Sequence, residues 1–156
     1  MSYLLAIDQG TSSTRAMLYS AQGQLVKKSQ YPLTQYYPDA GWVEQDAEEI
    51  WQKTLKAIED VISIVDINKI VACGITNQRE TIVLWDKQTG ECLYSAIVWQ
   101  DRRTEAFCQS LTAHQTEVHQ KTGLFLDPYF SATKIHWLLN HIPDAQKCAA
   151  EGNLAF

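Results

Sequence analysis

The sequence predicts an α/β fold: a mixed sheet with helices packed on its faces. Three observations carry that expectation. Short apolar runs separated by tight turns open the chain between residues 3 and 33. An amphipathic helical pattern follows them. Further apolar runs and helical patterns then fill the chain as far as residue 156. Two closely spaced strands imply an antiparallel meander, so the first hairpin should lie on one side of the sheet.

Tyr3–Ile7 reads as a short buried strand, Arg15–Tyr19 as a second, and Ala21-Gln22-Gly23-Gln24 as a turn into a third, Leu25–Leu33. Tyr36 to Trp42 is loop by composition. Asp46 can cap a helix, with Glu49 completing a capping-box-like arrangement. Trp51, Leu55, Ile58, Ile62 and Val65 give that helix an apolar face and predict a core position for Trp51. Ile70-Val71-Ala72-Cys73 reads as a buried strand with Cys73 in the core. Thr81–Trp85 reads as another strand, turning at Lys87–Gly90 and returning through Leu93–Trp99. A weaker helix runs to about Leu111, with Asp101 as its cap. Gly123 to Asp127 is irregular. Ile135, Leu138, Leu139 and Ile142 mark a strong helix; Pro143 either stops it or starts the next short helix, and Asn153–Phe156 begins another strand. Trp85 and Trp137 read as core aromatics.

Composition narrows the class. The chain of 156 residues is 46% hydrophobic and 20% charged, enough for one sizeable domain with a core. A net charge of −5 gives no electrostatic reason to expect nucleic acid or an anionic membrane as partner. No apolar run approaches the roughly 20 residues a spanning helix needs. The first residues lack the basic region of a leader. Cys73, Cys92, Cys108 and Cys148 are widely spaced, which argues against zinc and for four free thiols in the cytoplasm.

Two stretches carry chemistry. The first is Asp8-Gln9-Gly10-Thr11-Ser12-Ser13-Thr14-Arg15, between the first two strands. Gly10 permits close approach of backbone, the hydroxyl residues add donors, Asp8 is a partner for magnesium through its waters, and Arg15 can reach phosphate oxygens. A solvated hairpin turn fits the same residues equally well, and the pattern is not that of a P-loop. The second stretch is Gly74-Ile75-Thr76-Asn77-Gln78-Arg79-Glu80. Arg79 offers a fork of donors and Glu80 offers acceptors, a combination suited to a ligand rich in hydroxyls. A weak surface ion pair at a strand end is the other reading.

These motifs resemble the FGGY family of carbohydrate kinases. The first turn is similar to the family's first phosphate motif. Gly41–Asp46, Gly74–Thr81, Ala96–Arg103 and Asp127–Ser131 resemble the branch of the family whose acceptor is glycerol. The likeness extends over essentially the whole chain. It implies an actin-like, ribonuclease H-like fold, with residues 1–156 forming the first part of an N-terminal domain, the rest of that domain and a C-terminal domain lying beyond. It implies ATP-dependent phosphorylation of glycerol to sn-glycerol 3-phosphate with Mg2+. Substrate contacts would be Arg79, Glu80 and Tyr129, with Trp99 as an apolar wall. Nucleotide contacts would be Thr11, Ser12, Ser13 and Arg15, and Asp8 would act near the metal. The family's catalytic base is an Asp in a Gly-Asp-Gln triplet. No such triplet occurs here, so the base is expected beyond Phe156 and the chain alone is expected to be inactive. The whole protein is expected to be cytoplasmic and homo-oligomeric. A non-catalytic nucleotide-binding domain, a structural domain without ligand, and a kinase for another polyol or sugar are the competing classes.

Overall fold

The computed structural model describes residues 1–156, and the chain divides into two compact units. One comprises Met1–Gln35 and Asp46–Gln78; the other comprises Tyr36–Gln45 and Arg79–Phe156. The excursion at Tyr36–Gln45 leaves one unit and returns, so no linker-like tract marks the boundary.

The first unit is a four-stranded sheet with one helix. Strands β1 (Tyr3–Gln9), β2 (Ser13–Ser20) and β3 (Leu25–Pro32) form the expected meander. Each of the first two strands extends beyond the apolar run that predicted it, because ladder pairing continues through polar Asp8↔Arg15 and Gln9↔Thr14. Strand β4 (Glu44–Gln45) belongs to the second unit. Helix α1 spans Ala47–Ile62. Strand β5 (Ile70–Asn77) then pairs parallel to β1, giving the order β3-β2-β1-β5 and the mixed sheet that was expected.

Asp46 caps α1, its carboxylate accepting from the N–H groups of Glu48 and Glu49. The capping box is only half made. Glu49 turns instead to Thr34, accepting from its N–H and hydroxyl, and to Lys53. Asp60 fixes the other end of the helix to β3, accepting from Ser29 Oγ and Tyr31 Oη at 2.6 Å each. Those bonds, Ser29's first, hold the Asp60 carboxyl below its usual range.

The face that α1 buries is Thr54, Ala57 and Val61, packed with Leu5, Ile7, Ala16 and Leu18. Trp51 lies off that face and is 53% exposed, so it is not a core residue. The buried stripe uses small residues that let the helix approach the sheet closely. An apolar pattern alone points to the larger side chains beside them. Strand β5 is exposed along almost its whole length, with Val71 64% and Ile75 71% exposed and Cys73 exposed as well. This corrects the buried-strand and core-cysteine expectations: α1 packs over β3, β2 and β1, and β5 is the edge strand beyond its cover.

The second unit has little sheet. Strand β6 (Trp85–Asp86), strand β7 (Ala96–Ile97) and strand β8 (Leu154–Ala155) have two residues each. β7 pairs with β4, and β6 with β8. The hairpin predicted at Lys87–Gly90 is present, but its arms touch only at isolated bridges, Ile82↔Ile97 and Trp85↔Cys92. The helices are α2 (Glu105–Ser110), α3 (Gln115–Thr122), α4 (Ser131–His141) and α5 (Ala145–Ala150). Of these, α3 escaped sequence reading; none of its residues is buried, so it has no apolar stripe to betray it. The core here is Ile82, Leu84, Ile97, Leu138, Ala145 and Leu154. All four cysteines are free, and no helix is long and apolar enough to cross a membrane.

The buried stripe of α1 makes a comparison of two variants informative. Leu18, fully buried, should cost about 2–5 kcal/mol when changed to Ala. Trp51→Ala should change stability by no more than about 0.5 kcal/mol, as at an ordinary surface position. Urea denaturation of both variants checks the pair; a larger loss at Trp51 than at Leu18 would contradict the assigned face.

Candidate functional site

The first candidate site lies in the first unit, at the turn from β1 to β2. Asp8 and Arg15 face each other across the antiparallel ladder, and Arg15 Nε lies 3.2 Å from Asp8 Oδ2. The contact is an ion pair rather than an aligned hydrogen bond, since the enclosed Nε–H does not point at the carboxylate. Both side chains remain about one-third exposed, at 33% and 31%. Gly10 donates its N–H to Ser13 O at 3.0 Å, and a Cβ at Gly10 would come within 3.1 Å of that oxygen. A side chain there would crowd that oxygen, which favours the glycine.

The hydroxyls of this turn divide into two kinds. Thr54 Oγ1 donates to Ile50 O at 2.7 Å. Its one proton is thereby committed, so it accepts from both neighbours: Gln9 Nε2 at 3.0 Å and the buried Thr14 hydroxyl at 2.9 Å. Ser13 is buried as well, and its Oγ accepts from Gln30 Nε2 at 2.9 Å and from Arg15 Nη2 at 3.4 Å. Ser12 is exposed and Thr11 half-buried. Of the predicted phosphate contacts, Thr11, Ser12 and Arg15 thus present themselves at the surface of the turn, while Ser13's side chain braces it from within.

The second candidate site lies in the second unit, where the chain turns after β5. Glu80 sits in the left-handed region, with φ 64°. This conformation costs a non-glycine residue on the order of 1–3 kcal/mol, and surrounding structure must hold it. Glu80 Oε2 accepts from both the N–H and the hydroxyl of Ser131, the N–H bond measuring 2.9 Å. Ser131 is the first residue of α4, whose own N-cap, Phe130, offers no side-chain bond. A carboxylate from a distant segment therefore caps this helix, at the end where the backbone dipole favours negative charge. Both bonds of the cap go to one carboxylate oxygen.

Tyr129 is set by the turn that precedes α4. Asp127 Oδ1 accepts from Tyr129 N at 2.8 Å, and Pro128 is fully buried. The Tyr129 ring meets Trp99 edge-to-face with centroids 5.9 Å apart. Lys134 joins the segments. Its ammonium donates to Glu80 O at 2.9 Å and to Tyr129 O at 2.6 Å, and its side chain is wholly buried. Of the four predicted acceptor contacts, Glu80, Tyr129 and Trp99 are thus brought together. Arg79 is adjacent in sequence and exposed; it does not pair with Glu80.

Sequence reasoning missed Lys134. A signal existed, since Lys134 precedes the buried Leu138 by four residues and so lies on the buried stripe of α4. It also misjudged Asp101. Asp101 does not cap α2, whose N-cap is Thr104. Instead it accepts from Val43 N at 2.6 Å and from Arg103 N and Nε at 2.9 Å each. Arg103 is fully buried, 2.8 Å from Asp101 Oδ2 and 2.7 Å from Glu44 Oε1, with its guanidinium 3.9 Å over the Trp42 ring and 4.6 Å over Trp137. Burial opposes its charge, but the bonds from Asp101 and Glu44 outweigh burial and raise its pKa.

Residues 3–154 match the N-terminal domain of the FGGY family of carbohydrate kinases. The chain belongs to that family. It is 51% identical over 160 residues to a glycerol kinase from Alcanivorax borkumensis, covering 100% of this chain and 32% of the relative. A crystal structure of Plasmodium falciparum glycerol kinase with ADP superimposes with a TM-score of 0.92 at 33% identity, over 99% of this chain and 32% of that one. A xylulose kinase from Lactobacillus acidophilus shares the fold, with a TM-score of 0.82 at 24% identity over 90% of this chain and 29% of that one. The fold is accordingly the actin-like one of these kinases. The chain spans about a third of the length of the curated relatives it matches.

The buried Arg103 cluster yields a test of its own. Arg103→Met should destabilise by about 3–5 kcal/mol, because it leaves Asp101 and Glu44 as uncompensated, largely buried carboxylates. Arg103→Lys should recover only part of the loss, since an ammonium lacks the planar fork. Chemical denaturation of both variants measures the difference, and equal stability of wild type and Arg103→Met would refute this account.

Proposed function

We propose that the protein carrying this chain transfers the γ-phosphoryl group of ATP to a terminal hydroxyl of glycerol, giving sn-glycerol 3-phosphate. The observation that carries the reading is the convergence of Glu80, Tyr129 and Trp99, two polar groups and an aromatic wall, with Arg79 exposed alongside. Family membership and the glycerol kinases among its relatives support it. Glu80 would accept from one polyol hydroxyl, while Arg79 would donate to another. Tyr129 would add a further hydrogen bond, and Trp99 would cover the carbon chain. A site built this way rejects compounds lacking the hydroxyls, because its polar groups would stay unpaired.

Thr11, Ser12, Ser13 and Arg15 would contact the nucleotide phosphates, Ser13 through its backbone since its side chain is engaged. Asp8 is a lone carboxylate paired with Arg15, and no group of three or more His, Cys, Asp or Glu side chains stands ready to hold a metal. That donor set fits magnesium held mainly by water and phosphate oxygens, with Asp8 binding its waters. Such an ion supplies neutralisation of phosphate charge. Residues 1–156 would be the first part of an N-terminal domain, with the proton-accepting Asp beyond Phe156. A cytoplasmic, self-assembling protein without a nucleic-acid partner accords with this reading.

Glu80→Gln in the whole protein tests it. The substitution keeps shape and can still cap α4 through its amide oxygen, but it removes the charge and one acceptor. Glycerol affinity should fall about ten- to a hundred-fold, equivalent to about 1.5–3 kcal/mol, with ATP affinity little changed. Calorimetric titration of each ligand separately is the measurement. Equal losses for both would assign Glu80 a structural role only.

A further inference from the structure

A lysine wholly removed from solvent is unusual unless something compensates its charge. Lys134 has no carboxylate within ion-pair distance. Its ammonium instead donates to two backbone carbonyls, those of Glu80 and Tyr129. These residues are 49 positions apart in sequence, by subtraction of their numbers, and both belong to the acceptor cluster. Neither carbonyl sits in a strand or helix, so without Lys134 two half-buried backbone acceptors would lose this partner. Glu80 also holds a left-handed conformation that something must enforce. The Ser131 bonds fix its carboxylate from one side, and Lys134 fixes its backbone from the other.

We propose that Lys134 is the positioning residue of the acceptor site: its ammonium ties the Glu80 and Tyr129 backbones to a single point and so sets the distance between the two side chains that hold the polyol. The inference rests on the reading of Glu80 and Tyr129 as polyol contacts. A thioether or hydrocarbon side chain of similar length cannot do this, because it offers the carbonyls no donor. An ammonium does it well, since bonds from a charged donor are stronger than those from a neutral one.

The same environment makes the tie sensitive to pH. Burial pushes the Lys134 pKa down to about 8, against the pull of Glu80, Asp101 and Asp127 and with the push of Arg103. Those groups lie in the turn after β5, in the segment before α2 and in the turn before α4; the Tyr129 ring, 6.0 Å from Nζ, completes the surroundings. The lysine is thus charged below about pH 8 and neutral above it. The neutral amine still reaches both carbonyls but grips them less strongly.

The experiment uses the whole protein, wild type and Lys134→Met, with glycerol and ATP titrated separately by calorimetry from about pH 7 to about pH 9.5. Wild-type glycerol affinity should decline several-fold across this range with a midpoint near 8. Lys134→Met should bind glycerol at least about tenfold more weakly at the lower pH, with no midpoint, while ATP affinity stays within about twofold. Glycerol binding by Lys134→Met as tight as wild type, or equal losses for both ligands, would overturn the proposal. Should Lys134→Met fail to fold, the wild-type profile decides alone: a flat profile overturns the proposal, and a midpoint near 8 supports it. Wild-type protein that binds ATP but no glycerol at any pH would instead remove the acceptor reading itself, and this inference with it.

Discussion

A backbone that leaves its sheet must find other partners for its N–H and C=O groups, and in the second unit charged side chains provide them. Asp101 takes the N–H groups of Val43 and Arg103. Asp86 takes those of Gln88 and Thr89, Asp127 that of Tyr129, and Glu80 that of Ser131. Lys134 supplies the opposite need by donating to Glu80 and Tyr129. With strands of only two residues, this unit depends on those bonds for the shape of its loops. The acceptor cluster is one product of that scheme, since bonds of Lys134, Asp127 and Glu80 to backbone groups hold it, beside the packing of Tyr129 on Trp99.

The first unit solves the same problem conventionally. Ladder and helix bonds satisfy most of its backbone, and charged side chains such as Asp46 and Glu49 serve only the groups at the helix start and at Thr34. That is why Asp8 and Arg15 can sit opposite each other on a strand pair and still present exposed polar atoms. It is also why the hydroxyl chain from Thr14 through Thr54 to Ile50 has a defined direction, each proton having one destination.

Legibility in the sequence follows this division. The β1–β3 meander, α1 and α4 were readable because apolar period and turn chemistry act over neighbouring residues. The edge position of β5 was not, because an apolar run looks the same whether or not a helix covers it. Trp51 misled for a related reason: it continues the spacing of Ile58, Ile62 and Val65, which do pack against the core, while α1 buries Thr54, Ala57 and Val61 most deeply. At the site, resemblance to a kinase family named Glu80, Tyr129 and Trp99, and local pattern pointed to Arg79 and Glu80. Neither route reached Lys134 or the buried Arg103 cluster, whose partners are far apart in sequence and meet only in the fold.

The left-handed backbone at Glu80 narrows what evolution or an engineer can place there. Glycine suits the conformation but forfeits the carboxylate that caps α4. Asparagine tolerates the conformation, yet its amide is one methylene shorter and brings no charge. Valine, isoleucine and threonine clash with the backbone itself. Each demand on the position admits a different set of residues, and glutamate is a compromise that meets the chemical ones at the expense of the conformational one. A mutational scan would therefore find this position intolerant for reasons that no single assay could separate.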